Sequence, residues 1–114
     1  MKDCIFCRIA QGEVPAKILK ADEHVVVFED IAPRAPTHLL VIPTRHLDSL
    51  AACRDVDREL LGHMLATAAE AAREVGLEEK GYRIVLNTGA GAGQTVFHIH
   101  LHILGGRPLA WPPG

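Results

Sequence analysis

Four absences narrow the chemistry open to this sequence. It has no surplus of one charge: 12 lysines and arginines against 14 acidic residues leave a net charge of −2 with histidine neutral. No basic field is offered to DNA, RNA or a membrane surface, although a mononucleotide held by one short loop needs none. It has no long apolar run. The longest stretches, residues 25–28 and 39–42, are strand-sized, whereas a membrane span takes about 20 residues. It has no leader pattern, since Met1-Lys2-Asp3-Cys4-Ile5-Phe6-Cys7-Arg8 puts no apolar core behind a basic start; the expected location is cytoplasmic. It also has too few cysteines for a disulfide framework: an odd count of three, in a compartment that keeps thiols reduced.

The 114 residues, 48% hydrophobic and 23% charged, suit one globular domain spanning residues 1–114. No repeat or interior linker divides it. One feature departs from the ordinary: seven histidines, three of them alternating along residues 98–102.

The pattern along the chain gives the fold class. Residues 4–10 predict a short helix ended by Gly12 and Pro15, and residues 17–20 and 24–28 read as two strands joined by a polar hairpin. Pro33 and Pro36 make residues 30–36 a loop, followed by a buried strand over 39–42 that Pro43 stops. Over residues 55–75 the period changes to that of a helix. Val56, Leu60, Met64, Ala68, Ala71 and Val75 form an apolar stripe, widened by Leu61, Leu65 and Ala72, with Gly76 as its stop. Residues 82–87 and 96–104 predict two more strands around a glycine loop. Strands, one long helix, then strands with hairpin-length links indicate α+β with an antiparallel sheet.

Candidate chemistry lies in His98-Ile99-His100-Leu101-His102-Ile103-Leu104. Side chains alternate faces along a strand, so Ile99, Leu101 and Ile103 would pack on the helix while the three imidazoles line the other face, about 6–7 Å apart. Lysine, glutamate or threonine would serve solubility as well. Imidazole adds nucleophilicity, proton transfer and metal ligation. A shared grip of all three on one metal is disfavoured, because the first and third lie about 13 Å apart along the strand. Upstream, Gly89, Gly91 and Gly93 free the backbone to turn N–H groups towards an anion. Asn87, Gln94 and Thr95 add hydrogen bonds. The loop is no dinucleotide fingerprint and carries no P-loop lysine; beside a histidine row it reads as a phosphate site.

The run H-I-H-L-H-I-L resembles the histidine triad (HIT) signature. The likeness extends to Cys4-Ile-Phe-Cys7, Asp30-Ile31-Ala-Pro33, Ala35-Pro36-Thr37-His38, Val41-Ile42-Pro43 with His46, Asn87 before the glycines, Gly105-Gly106 and the Trp111-Pro-Pro-Gly end. The last two are similar to the Hint branch, the histidine triad nucleotide-binding proteins. The resemblance implies a five-stranded antiparallel sheet with one long and one short N-terminal helix, paired as a homodimer. It implies hydrolysis of purine nucleoside 5′-phosphoramidates through a nucleotidyl-histidine intermediate, with no catalytic metal required. His100 would be the nucleophile, His102 would bind phosphate oxygen, and His38 would stand behind His100 in a relay. Asp30 would hold the ribose; Phe6, Ile9, Phe28 and Ile31 the base; Asn87, Gly93, Gln94, Thr95 and Val96 the phosphate side. Trp111 would reach towards the partner protomer's site.

Cys4-x-x-Cys7 is a two-thiolate metal grip that needs two more ligands to close a structural zinc site. A redox pair competes, but no βαβ pattern surrounds it. The resemblance to bacterial relatives supplies His46 and His98 as the missing ligands and leaves Cys53 without a role. Two other functions compete with phosphoramidate hydrolysis: dinucleoside polyphosphate hydrolysis or nucleotidyl transfer, and a non-catalytic nucleotide-binding module.

Overall fold

In the computed structural model, residues 3–114 are described. They form a five-stranded antiparallel sheet with a helix on each face. The elements in chain order are α1 (Ile5–Ala10), β1 (Ile18–Ala21), β2 (Val25–Glu29), β3 (Thr37–Pro43), α2 (Arg58–Glu74), β4 (Tyr82–Val85) and β5 (Leu101–Gly105). The sheet order is β1-β2-β3-β5-β4, so the last strand inserts between β3 and β4. The α+β class and strand count expected from the sequence are those of the molecule.

Alternation along the two inner strands creates two cores. Val25, Val27, Leu39, Val41, Leu101 and Ile103 pack beneath α2, against Met64, Ala68, Ala71 and Ala72. Val26, Phe28, Leu40 and Ile42 face the other way and pack with Phe6 and Ile9 of α1. Because β2 and β3 are covered on both faces, they read in sequence as continuous apolar runs. The β3–β5 register pairs Leu40 with His102 and His38 with Leu104. Period two then puts His38 and His102 on the α1 side of the sheet, beneath the smaller core.

Local chemistry sets the ends. Asp22 closes the β1–β2 turn by accepting from the N–H groups of His24 and Val25, both at 2.8 Å. The Cys4 sulfur caps α1 by accepting from the Cys7 N–H at 3.3 Å. Gly76, at φ +80°, ends α2 in the left-handed region that glycine enters without strain.

Two expected elements start later than their patterns suggest. The long helix begins at Arg58, after a tight 3₁₀ turn over Asp55–Asp57. Asp57 is buried and accepts from the Arg54 N–H at 2.8 Å and from the Arg45 guanidinium, which fixes that turn. Val56 is consequently 81% exposed, outside the apolar stripe, and Leu65 and Val75 also face solvent. The last strand begins at Leu101 rather than Val96. The carbonyl of His98 accepts from the His100 ring at 2.8 Å, and Ile99 N–H donates to Leu47 at 2.7 Å. Those groups leave the sheet ladder. Among the described residues, no helix is long and apolar enough to cross a membrane.

Candidate active site

A cavity of about 550 Å³ opens between α1 and the sheet, within the usual range for small-molecule pockets. Phe6 and Ile9 enter it from α1, Phe28, Glu29, Asp30 and Ile31 from the end of β2, and Leu40 from β3. Thr95, Val96, His100 and His102 complete the side next to β5. The lining is mostly apolar, with Lys17, Glu29 and Thr95 as further polar members beside the point where His100, His102 and Asp30 converge.

The hydrogen-bond partners assign each imidazole its tautomer. His100 Nδ1 lies 2.8 Å from the His98 carbonyl oxygen, which only accepts, so Nδ1 carries the hydrogen. Burial holds the ring below the usual histidine range and therefore neutral. Its Nε2 is left with a free lone pair on a ring that lines the cavity. Phe6 packs edge-on to that ring, with centroids 5.0 Å apart and planes at 87°.

A second chain of bonds orients His102. The Arg34 N–H donates to His38 Nδ1 at 3.0 Å, so the hydrogen of neutral His38 sits on Nε2. That Nε2–H donates to His102 Nδ1 at 2.9 Å, with the Asp30 carboxylate 3.4 Å away. His102 therefore carries its own hydrogen on Nε2. Burial, reinforced by His100 and His38, depresses His102 from 6.5 to about 4, and burial likewise lowers His38. The rings of His100 and His102 stand 5.0 Å apart. One presents a lone pair and the other an N–H donor.

His38 thus stands against His102, where the resemblance had implied a place behind His100. The support behind His100 is the His98 carbonyl. Other expected residues also take different positions. Gln94 is buried and spends its amide inside the loop: its oxygen accepts from Gly89 N–H at 2.8 Å, and its nitrogen donates to the carbonyls of Asp48 and Val96 at 2.7 and 3.1 Å. The N–H groups of Ala92, Gly93 and Gln94 bond to carbonyls of the same loop, so they do not converge on an anion as the glycine pattern suggested. Gly89 and Gly93 have positive φ; Gly91 does not. Asn87, Gly93, Gln94 and Trp111 do not line the cavity. Trp111 is 81% exposed. Asp30 lines the cavity with a carboxylate that also accepts from Ala32 N–H at 2.8 Å. Sequence reasoning missed Leu40, Lys17 and Glu29 as lining residues; the β2–β3 register, rather than any motif, puts Leu40 there.

The remaining histidine of the row turns away from the cavity. His98 is fully buried, and its Nε2–H donates to the Pro43 carbonyl at 2.8 Å. Its Nδ1 lone pair lies 3.3 Å from Cys4 Sγ and 3.4 Å from Cys7 Sγ. His46 does the same from the opposite side: Nε2–H donates to Asp48 at 2.7 Å while Nδ1 lies 3.3 Å from Cys7 Sγ. Two sulfurs and two imidazole lone pairs thus face one another within 4.8 Å. A tetrahedral ion ~2.3 Å from sulfur and ~2.0 Å from nitrogen would hold such donors ~3.5 Å apart, and the outer N–H bonds are those that orient metal-ligating histidines. The donor set fits zinc. Asp30, His38 and His102 also cluster within 4.8 Å, yet His38 directs an N–H into that cluster and offers no lone pair. That group is a hydrogen-bond chain.

Comparison with known proteins matches residues 11–109 to the HIT domain. A HIT-like protein of Synechocystis sp. is 49% identical over 113 residues, covering 99% of this chain and 98% of that one. The crystal structure of a HIT family hydrolase from Legionella pneumophila is 51% identical, with a TM-score of 0.96 over 98% of this chain and all of that one. A zinc-bound histidine triad family protein from Mycobacterium smegmatis is 37% identical, with a TM-score of 0.81 over 93% of this chain and 76% of that one.

Proposed function

The chain belongs to the HIT domain family, and from that premise we propose that it is a nucleotide-binding hydrolase that cleaves purine nucleoside 5′-phosphoramidates through a nucleotidyl-histidine intermediate. Within the family we assign it to the Hint branch, on the strength of Gly105-Gly106 and the Trp111-Pro112-Pro113-Gly114 end. The observation that carries the mechanism is the hydrogen bond from His100 Nδ1 to the His98 carbonyl at 2.8 Å. It puts the hydrogen of the ring on Nδ1, so that with burial holding the imidazole below its usual range Nε2 keeps the lone pair that can attack.

In this reading the base occupies the slot between Phe6, Ile9, Phe28 and Ile31, and the ribose hydroxyls reach Asp30. His100 Nε2 attacks phosphorus, the phosphorus–nitrogen bond breaks, and the amine leaves with a proton from water. A water molecule then attacks phosphorus and breaks the phosphorus–histidine bond. The proton it loses neutralises the hydroxide left by the first step and His100 returns to its neutral form, so one difficult displacement becomes two easier ones. His102 Nε2–H donates to a non-bridging oxygen as charge develops there. His38 holds His102 in the donor tautomer and acts through it. Zinc on Cys4, Cys7, His46 and His98 would supply a structural cross-link and no reaction chemistry. Pairing as a homodimer belongs to the same reading, supported by the open edge of β4 in the sheet order and by the exposed Trp111.

Adenosine 5′-phosphoramidate hydrolysis by wild type and His100→Ala tests the proposal. Wild type should turn over, and the variant should lose roughly 10³-fold or more in kcat while still binding AMP. Unchanged turnover in the variant excludes the mechanism. Binding of AMP without turnover in either protein would favour a non-catalytic module.

A further inference from the structure

We propose that the Cys4–Cys7–His46–His98 site is a positioning device for His100, so that filling it with metal sets the orientation and tautomer of the nucleophile as well as holding the fold. The inference rests on His100 being the attacking group. It comes from where the supports of that ring are anchored.

One peptide group does most of the orienting. Between His98 and Ile99, the carbonyl accepts from His100 Nδ1 at 2.8 Å, and the N–H donates to the Leu47 carbonyl at 2.7 Å. Both sides of this peptide plane lead to metal-site residues. His98 carries the carbonyl and aims its own Nδ1 at the two sulfurs, 3.3 and 3.4 Å away. Leu47 follows His46, whose Nδ1 lies 3.3 Å from Cys7 Sγ. The third support is the Phe6 ring, centroid 5.0 Å from that of His100. Phe6 lies between Cys4 and Cys7 on a helix of only six residues. The hydrogen bond to His100 Nδ1, the bond that fixes its peptide plane and the Phe6 contact are therefore all made by metal-site residues or residues adjacent to them, while the His102 ring, also 5.0 Å away, flanks His100 on the cavity side.

The consequence is mechanical. Metal–ligand bonds fix two thiolates and two imidazoles at set distances. With neutral thiols the same groups are joined only by weak sulfur–nitrogen hydrogen bonds, which tolerate a wider range of angles. The peptide plane and α1 then gain freedom together, and the His98 carbonyl no longer enforces one tautomer on His100. His98 is a positioning residue in this scheme.

The test uses the whole protein with zinc as the probe. Wild type is stripped with a chelator, checked for folding by circular dichroism, and titrated with zinc while metal content, kcat and KM are measured. In parallel, ¹⁵N-histidine spectra at fixed pH follow the tautomer of His100 without substrate. The expected result is uptake of about one zinc per chain, a single Nδ1–H tautomer when loaded, and mixed tautomers when stripped but folded. Loss of metal should lower kcat at least tenfold, by more than KM changes, and zinc should restore it. Full kcat with a single tautomer in a folded, metal-free protein overturns the proposal, as does failure to take up zinc. If stripped wild type unfolds, Asp48→Ala decides: it removes the acceptor that orients His46, so occupancy can be graded with zinc. Constant kcat per folded molecule at every occupancy would leave the site a structural role only and overturn the proposal. A tautomer that follows zinc in a protein that turns over no phosphoramidate keeps the positioning role and overturns the proposed function instead.

Discussion

At the scale of residues, four histidines of one composition are separated into roles by what each ring nitrogen touches. His98 and His100 both donate to backbone carbonyls, but through opposite nitrogens, Nε2 and Nδ1. The first is left with a lone pair at the sulfurs, the second with one at the cavity. His38 and His102 share one bond, and its direction follows from the Arg34 N–H. The alternation of three histidines was legible in the sequence, and so was the two-thiolate grip of Cys4 and Cys7. The pairing of His38 with His102 was not, since it depends on strand register across 64 residues of chain. Burial of His102 also has a thermodynamic sign. Its value falls from 6.5 to about 4 on folding, so the unfolded chain takes up the proton first. Its contribution is complete above about pH 6.5 and is lost as pH falls towards about 4. Between pH 7 and pH 5, urea unfolding of wild type should lose about 2 kcal/mol more than that of His102→Gln, which has no group to titrate there. Equal losses would contradict the assignment.

Gln94 is a second lesson at this scale. Its type and place in a glycine loop suggested a phosphate contact, yet the amide spans Gly89, Asp48 and Val96. Composition does not reveal whether an amide faces a ligand or its own backbone. Gln94→Ala leaves three backbone groups without their partner and should destabilise the protein by about 2–3 kcal/mol, read from denaturant midpoints. A near-neutral result would return Gln94 to the surface of the loop.

At the scale of elements, the periodic patterns were readable and their starting points were not. The α2 stripe of Met64, Ala68, Ala71 and Ala72 matches its pattern, whereas its first turn was displaced by the Asp57 carboxylate and its bonds to Arg45 and Arg54. The last strand lost its first five expected residues because the His98 carbonyl serves an imidazole instead of a neighbouring strand. Its other end is set by close packing. A Cβ on Gly105 would lie 2.7 Å from Leu77 Cδ2, and Leu77 belongs to the core under α2. Gly105→Ala should cost about 1–3 kcal/mol by overpacking, visible as a lower Tm with the AMP affinity unchanged. A neutral substitution would mean that Leu77 shifts freely.

At the scale of the whole molecule, the sheet keeps two functions apart. Its α2 face holds the larger core and contributes nothing to the cavity, while its α1 side carries His38, His100 and His102, the cavity and the Cys4–Cys7–His46–His98 cluster. The six-residue α1 packs on that face through Phe6 and Ile9, and the Cys4 and Cys7 sulfurs beside them lie within hydrogen-bond distance of His46 and His98. Fold class followed from element order, but the division of labour between faces needed the β2–β3 and β3–β5 registers.

The central claim is that His100 Nε2 forms a bond to phosphorus. Rapid-quench mass spectrometry of the enzyme during phosphoramidate turnover, with the adduct mapped to a single side chain, tests it directly. The expected result is a nucleotidyl group on His100, formed and lost at rates compatible with kcat. An adduct on His38, His98, His102 or any other residue would contradict it, as would turnover with no covalent species at any time point.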